Sequence, residues 1–278
     1  MMKRLLYPAA VALAGLSVWA APEPKAGTTR IAFLSDTHIS VRTNEPGVLY
    51  NTHADKAFAA ANAAKVDLVL VAGDLTDGGT PEQMELFKQK LKQLKAPVLF
   101  IPGNHDVGNA GNTDKPITIT PERVKGFSEK LGPNWFAREV AGVRVIGIDS
   151  CLFETGFKEE AEQWSFLEKE LARPCPEPVL LLEHYPLFLK TVDEPANSVW
   201  NVHPEMRRRL IALLKQGGVR AVLSGHLHRP ITNRLDGILL LSNGATAFGL
   251  PRGKQDVGWM LVTVPPDGEV RFEFRSLE

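Results

Sequence analysis

Short runs of consecutive apolar residues alternate along this chain with longer segments in which apolar positions recur every three or four residues. Almost every apolar run breaks off in a polar cluster. The runs at 30–35, 67–72, 97–101, 143–149, 179–183 and 219–223 are rich in Val, Ile, Leu and Ala and show no in–out alternation. Runs of that length predict strands buried on both faces, as in a parallel sheet covered by helices. The segments between them carry helical spacing. Thr52 with Asp55 forms a capping-box pattern that predicts the start of an Ala-rich helix running to about Ala64. Thr80 followed by Pro81 predicts a second helix start, with Phe87, Leu91 and Leu94 on one face. Pro121 opens a modest helix. The segment 159–171 sets Trp164, Leu167 and Leu171 on one side, and Pro204 stands in the first turn of a further helix. Its consecutive Arg207, Arg208 and Arg209 spread over most of a turn, which predicts a solvated face. Between 107 and 120, Gly, Asn, Thr and Asp predict a surface loop. From Ile231 to Phe274, β-like runs separated by Gly and Pro predict antiparallel strands completing a second sheet.

No Ser/Gly-rich or charged linker divides the chain, and 278 residues suffice for one large core, so residues 30–278 read as one α/β domain. The N-terminus differs from the rest. Lys3 and Arg4 precede a largely apolar stretch from Leu5 to Leu16, and Val18-Trp19-Ala20 supplies small residues where a signal peptidase cuts. Residues 1–20 therefore read as a secretory signal and 21–29 as a leader. The apolar stretch is too short to span a bilayer, and no cysteine follows it to carry a lipid. The expectation is an exported protein, periplasmic or secreted, with no membrane anchor after cleavage near Ala21. Lys plus Arg and Asp plus Glu both number 32, a net charge of zero, with a pI near 7.1. That balance excludes a nucleic acid duplex or an anionic membrane surface as the main partner, so any affinity for phosphate must be local. Cys151 follows the end of one apolar run and Cys175 precedes the start of the next. On parallel neighbours the two sulfurs fall roughly 15–20 Å apart, and no disulfide is expected.

The chemistry lies where the apolar runs stop. Asp36 and His38, Asp74, Asn104 and His105, His184, and His226 and His228 all follow such runs. In open parallel sheets, ligand-binding groups gather just beyond the carboxyl ends of strands. Any one of these histidines is accounted for by packing, and Gly103-Asn104-His105-Asp106 alone reads equally well as a turn. Five of the chain's seven histidines in such positions, beside two aspartates and an asparagine, form a set that coincidence does not explain. Asp, His and Asn without Cys suit a pair of borderline or hard cations, not a thiolate zinc site. The remaining histidines, His53 and His203, read as residues at helix starts or in loops. Asn243 and Gly244 read as a turn after a strand.

The succession Asp36-x-His38, Gly73-Asp74, Gly103-Asn104-His105-Asp106, His184-x-Pro186 and Gly225-His226-Leu227-His228 resembles the ordered motif set of the calcineurin-like metallophosphoesterases, over residues 36–228. The resemblance implies a four-layer α-β-β-α sandwich of two mixed β-sheets flanked by helices. It implies that Asp36, His38 and His228 bind one divalent metal ion and Asn104, His184 and His226 a second, with Asp74 bridging them; Mn, Fe or Zn are expected. It also implies His105 as the catalytic acid and Asp106 as the residue that orients its ring. Two dications facing only two carboxylates stay net positive even with a bridging hydroxide, and so attract a phosphate and stabilise its charge. Such a pair, about 3.5–4 Å apart, lowers the pKa of a shared water for in-line attack on phosphorus. His105 would then protonate the leaving oxygen.

The expected function is thus hydrolysis of a small-molecule or phosphoprotein phosphate ester. Two departures bear on the branch. Asp77 stands where purple acid phosphatases carry a tyrosine, which argues against a tyrosinate-bound ferric ion. Gly78 stands where calcineurin-type protein phosphatases carry a phosphate-clamping arginine, which leaves substrate binding unassigned. The Asp36-Thr37-His38 loop and the segment 218–230 look closer to bacterial class III cyclic-nucleotide phosphodiesterases and a related phosphatase branch. A phosphodiesterase acting on a cyclic nucleotide or other diester is therefore the alternative. A non-catalytic metal-binding or scaffold protein of the same fold is a third reading, against which stands the full ligand set. Nothing in the sequence signals an oligomeric state.

Overall fold

The computed structural model describes residues 27–110, 118–196, 200–267 and 269–277. The signal sequence expected at 1–20 and its cleavage point lie outside these residues. The apolar runs become strands, in the order β1 (Thr29–Leu34), α1 (Gly47–Ala63), β2 (Leu68–Ala72), α2 (Pro81–Leu91), β3 (Val98–Ile101), α3 (Asn104–Val107), α4 (Pro121–Lys130), β4 (Phe136–Val140) and β5 (Val143–Gly147). There follow α5 (Lys158–Ala172), β6 (Val179–Leu182), α6 (Pro204–Gln216), β7 (Val219–Ser224), β8 (Ile231–Leu235), β9 (Ile238–Ser242), β10 (Gly258–Val264) and β11 (Arg271–Ser276). The domain opens at Thr29, one residue before the expected boundary, because Thr29 already pairs with Val264.

Two mixed sheets result. One has the order β11-β10-β1-β2-β3 and the other β4-β5-β6-β7-β9-β8. Their centres are parallel, and antiparallel strands lie at the margins. The two-residue period of a strand divides the apolar residues between two surfaces. Ile31, Phe33, Leu68 and Leu70 pack between the sheets against Val145, Leu180, Leu182 and Leu223. Ala32, Leu34, Val69 and Val71, and on the second sheet Ile146, Leu181 and Val222, belong instead to the core that the helices cover. Phe58 of α1, Phe87 of α2, and Trp164 and Leu167 of α5 are buried there, each side chain stabilising the fold by roughly 1.5–3 kcal/mol. Helix, sheet, sheet and helix layers are thus the expected α/β sandwich.

Several expectations need correction. The tail does not build one sheet: β9 lies parallel beside β7, β8 closes that edge, and β10 and β11 join β1 in the other sheet. Thr52 does not cap α1. The helix starts at Gly47 after Pro46, since Tyr50 already lies on its buried face, and the Thr52 hydroxyl donates back to the Val48 carbonyl at 2.9 Å. Thr80 is a true cap, accepting from Gln83 N at 3.3 Å. Arg208 and Arg209 are exposed as expected, but Arg207 is fully buried. Its guanidinium donates to the carbonyls of Val192, Glu194 and Val202, so it holds the loop before α6 and not a solvated face. Cys151 and Cys175 are both free thiols. Among the described residues, no helix is long and apolar enough to cross a membrane.

Candidate metal centre

β1, β2, β3, β6 and β7 end on one rim, and backbone hydrogen bonds tie the loops that leave them. Asp36 N donates to Gly73 O at 3.0 Å, His38 N to Asp74 O at 2.9 Å, and Gly225 N to His184 O at 3.1 Å. Within this mesh Asp36, His38, Asp74, His226 and His228 adopt left-handed backbone, with φ of 52°, 42°, 46°, 73° and 52°. The conformation costs a non-glycine residue roughly 1–2 kcal/mol. Five expected ligands bear that cost, and the mesh holds them in it. The glycines of the motifs serve close approach: a Cβ on Gly103 would run into the backbone and carboxylate of Asp74, and one on Gly225 would lie 2.8 Å from Asp36 Oδ2.

The side chains form two buried groups. Asp36, His38, Asp74 and His228 offer atoms within 4.8 Å of one another, and so do Asp74, His184 and His226. Asp74 belongs to both. Asn104 joins the second group, its Oδ1 lying 2.9 Å from His184 Nε2. All the expected ligands therefore converge.

Two backbone carbonyls decide which ring nitrogen faces inward. His184 Nδ1 lies 2.8 Å from Ala72 O, and His228 Nδ1 lies 2.7 Å from Phe248 O. A carbonyl only accepts, so each Nδ1 carries a hydrogen and each Nε2 is the nitrogen left to face the interior of the cluster. Those Nε2 atoms meet carboxylates: His228 Nε2 is 3.3 Å from Asp36 Oδ1, and His184 Nε2 is 3.4 Å from Asp74 Oδ1. His226 Nε2 is buried with no partner. Such contacts are favourable only where positive charge is present, on the ring itself or on a cation held between ring and carboxylate. A carbonyl-held imidazole is also the usual orientation of a metal-ligating histidine. The donor set fits a dimetal site.

The ionisation of the groups has the same physical content. Burial pushes the Asp74 carboxyl up, but the imidazoles of His184 and His105 outweigh it and hold Asp74 well below the usual carboxylate range. Asp36 is lowered in the same way, burial being overcome by His228 and His184. His184 rises to about 9 against the effect of burial, chiefly because of Asp74. Burial and His184 push His226 down to about 3, and burial with His105 holds His38 well below the ordinary imidazole value. The carboxylates need positive charge beside them, and the crowded imidazoles cannot all be protonated to supply it.

His105 stands at the edge of the first group, its ring 4.5 Å from that of His38. Its Nδ1 lies 2.9 Å from the Asp77 carbonyl oxygen. Burial opposes its protonation, yet Asp74, the Asp77 carbonyl and Asp106 together raise its pKa. Asp106 is not the hydrogen-bond partner that orients the ring, contrary to expectation. Its carboxylate accepts from Leu75 N, Thr76 N, Thr76 Oγ1 and Gly103 N at 2.7–3.0 Å, because two loops converge on it. Burial and the nearby Asp74 push its own pKa up to about 6.

Other residues were not assigned from sequence. Asp77 forms a third group with His38 and His105 within 4.8 Å and pairs with Arg42 at 3.3 Å. Phe248 packs 4.2 Å from the His228 ring, with Arg252 over its other neighbourhood at 3.9 Å and bonded to Tyr50 OH at 2.9 Å. Trp200 lies 5.5 Å from the His226 ring. No motif marks these positions. His53 bonds to Ala247 O and His203 lies 2.9 Å from Glu154, both roles outside the cluster. Asn243 donates to Phe33 O at 3.1 Å, linking the loop after β9 to β1.

The model of the calcineurin-like phosphoesterase family matches residues 29–230. The serine/threonine-protein phosphatase CPPED1 of Danio rerio is 30% identical over 227 residues, covering 77% of this chain and 70% of that protein. For the human counterpart the covered share of its own length is 65%. A probable cyclic nucleotide phosphodiesterase of Synechococcus, syc0937_d, is 26% identical over 90% of this chain and 93% of its own. Among solved structures, the purple acid phosphatase PPD1 from yellow lupin (Lupinus luteus) seeds shares the fold with a TM-score of 0.66 and 19% identity, over 93% of this chain and 53% of that one.

Proposed function

Since the chain belongs to the calcineurin-like phosphoesterases, and is thereby a phosphoester hydrolase, we propose that it is a dinuclear metal-dependent phosphohydrolase with His105 as general acid. The observation that carries this reading is Asp74, shared by two buried groups whose histidine Nε2 atoms, on His184 and His228, are turned inward by backbone carbonyls. Asp36, His38 and His228 would hold one ion and Asn104, His184 and His226 the other, with Asp74 common to both. Two divalent ions, Mn, Fe or Zn, would supply Lewis-acid charge for the phosphate oxygens and an acidified water as nucleophile.

The chain's own residues do the rest. Ala72 and Phe248 fix the rings of His184 and His228 through their carbonyls, so the site is organised before substrate arrives. The Asp77 carbonyl fixes His105 at Nδ1, which leaves Nε2 to donate a proton to the departing oxygen. Against the effect of burial, Asp74, the Asp77 carbonyl and Asp106 raise the pKa of His105, which favours the protonated ring. Asp106 holds the two loops together beneath it.

A small-molecule or phosphoprotein monoester is the first reading of the substrate, and the match to CPPED1 supports it. A diester is the second, favoured by a probable cyclic nucleotide phosphodiesterase that aligns over nearly all of both chains. We place the activity outside the cytoplasm, periplasmic or secreted, on the basic and apolar pattern of residues 3–20; N-terminal sequencing of protein from the native host should then begin near Ala21. The deciding experiment strips the protein of metal, reloads it with Mn²⁺, Fe²⁺, Zn²⁺ or Mg²⁺, and assays aryl monoesters against the matching diesters. Hydrolysis restored by metal, with two ions per chain by elemental analysis, is expected. Activity indifferent to metal would overturn the reading.

A further inference from the structure

Beside the cluster lies a hollow of ≈ 400 Å³ lined by Leu189, Trp200, Leu227, Arg229, Leu250 and Pro251. Its walls are attached to the ligand histidines. Leu227 stands between His226 and His228 in the chain, the Trp200 ring lies 5.5 Å from that of His226, and Leu250 N donates to His228 O at 3.0 Å. A phosphate seated at the cluster therefore has its organic group beside this hollow. By contrast, a hollow of ≈ 350 Å³ lined by Val219, Arg220, Ile238 and Leu239 lies at the amino ends of β7 and β9, the far end of the sheet from the cluster.

The lining states what would bind. Five of the six side chains are apolar, and none is a hydroxyl or an amide. A glycerol or sugar group placed here would find side-chain donors only on Arg229 and the Trp200 indole and no side-chain acceptor for its hydroxyls, whereas an apolar ring needs neither. Trp200 keeps 38% of its surface exposed, unusual for so large an apolar side chain, and so presents a free aromatic surface. Arg229 is exposed and pairs with no carboxylate among the described residues; a guanidinium, too, is a planar group that stacks on aromatic rings. The volume lies within the usual range for small-molecule sites.

We propose that this hollow seats the organic group of the phosphate ester and selects a flat aromatic one, an aryl ring or a nucleobase, over a polyol or short alkyl group. The proposal rests on the phosphoesterase reading of the adjacent cluster and adds its substrate class. Trp200 is then the main specificity-determining residue, and Arg229 offers the ring a second planar group.

The test is calorimetric binding of non-hydrolysable phosphonates to the metal-loaded protein, so that it does not depend on turnover. Benzylphosphonate and a nucleoside phosphonate are compared with propylphosphonate and with inorganic phosphate. An aromatic ligand should bind about 10- to 100-fold more tightly than propylphosphonate, the scale of one stacked ring. Trp200→Ala should erase most of that ratio, Trp200→Phe should keep it, and both should leave the affinity for inorganic phosphate unchanged. Leu189→Gln, which places an amide in the hollow, should lower the ratio even if Trp200→Ala folds poorly. Whichever aromatic phosphonate binds more tightly identifies the ring as aryl or nucleobase. Equal affinities for benzyl and propyl ligands, or a ratio untouched by Trp200→Ala and Leu189→Gln, would overturn the proposal while leaving ester hydrolysis intact. Aromatic preference in a protein that hydrolyses no ester would instead overturn the enzymatic reading and leave the hollow's role standing.

Discussion

His105 Nδ1 lies 2.9 Å from the carbonyl oxygen of Asp77, so a main-chain atom, and not a carboxylate, fixes the tautomer of the proposed acid. The proton to be donated is then on Nε2. His105→Ala should leave metal content near wild type and slow turnover by about 10²–10⁴. A nitrophenolate departs without a proton and an alkoxide does not, so alkyl esters should suffer more than aryl esters. The comparison is kcat/KM for both ester types at one pH; an equal loss would assign His105 to electrostatic stabilisation, and full activity would remove it from the chemistry.

Asp74 is the residue common to both groups. Asp74→Asn replaces a bridging anion with a neutral amide and should lower occupancy of both ions together, whereas His38→Ala should weaken mainly one. Elemental analysis after dialysis against a mild chelator measures this. An Asp74→Asn protein that keeps two tightly held ions contradicts the shared role.

Asp106 accepts four hydrogen bonds from two loops while fully buried. Asp106→Ala leaves the amides of Leu75, Thr76 and Gly103 without that acceptor, at about 1–3 kcal/mol for each that finds no other. The unfolding free energy from urea titration should fall by several kcal/mol and the midpoint should move to lower urea, with metal content falling alongside. A variant as stable as wild type but altered only in its pH–rate profile would restore Asp106 to the role of orienting His105.

Asp149, buried beside Gln163 and Cys151, has its carboxyl pushed up to about 7 by burial. The folded protein therefore holds this proton more tightly than the unfolded chain, whose ordinary value is 3.8. The stabilising effect is complete below that value and is lost as pH rises through about 7, a loss of order 4 kcal/mol at most. Asp149→Asn keeps an oxygen for Cys151 N and cannot ionise. It should gain stability relative to wild type between pH 5 and pH 8 in urea unfolding; an unchanged pH dependence would show that Asp149 ionises freely in the fold.

Much of the site was legible because its signals are local. A buried strand must end, and an Asp or His immediately after each end advertises its chemistry without knowledge of its neighbours. Asp36, His38, Asp74, Asn104, His184, His226 and His228 could be singled out in this way, together with the parallel strands that carry them. What required the tertiary structure is what depends on residues far apart in the chain. The strands after Ile231 are alike in composition, and only the closure of the sandwich assigns β9 to a place beside β7 and β10 to a place beside β1. Arg207 resembles its exposed neighbours until the loop before α6 brings three carbonyls to it. The same holds at the centre. Asp106 adjoins His105 in sequence, but its carboxylate turns to Leu75, Thr76 and Gly103, and the ring turns to Asp77. A side chain bonds to the donors that folding brings within about 3 Å of it, and adjacency along the chain does not determine which those are.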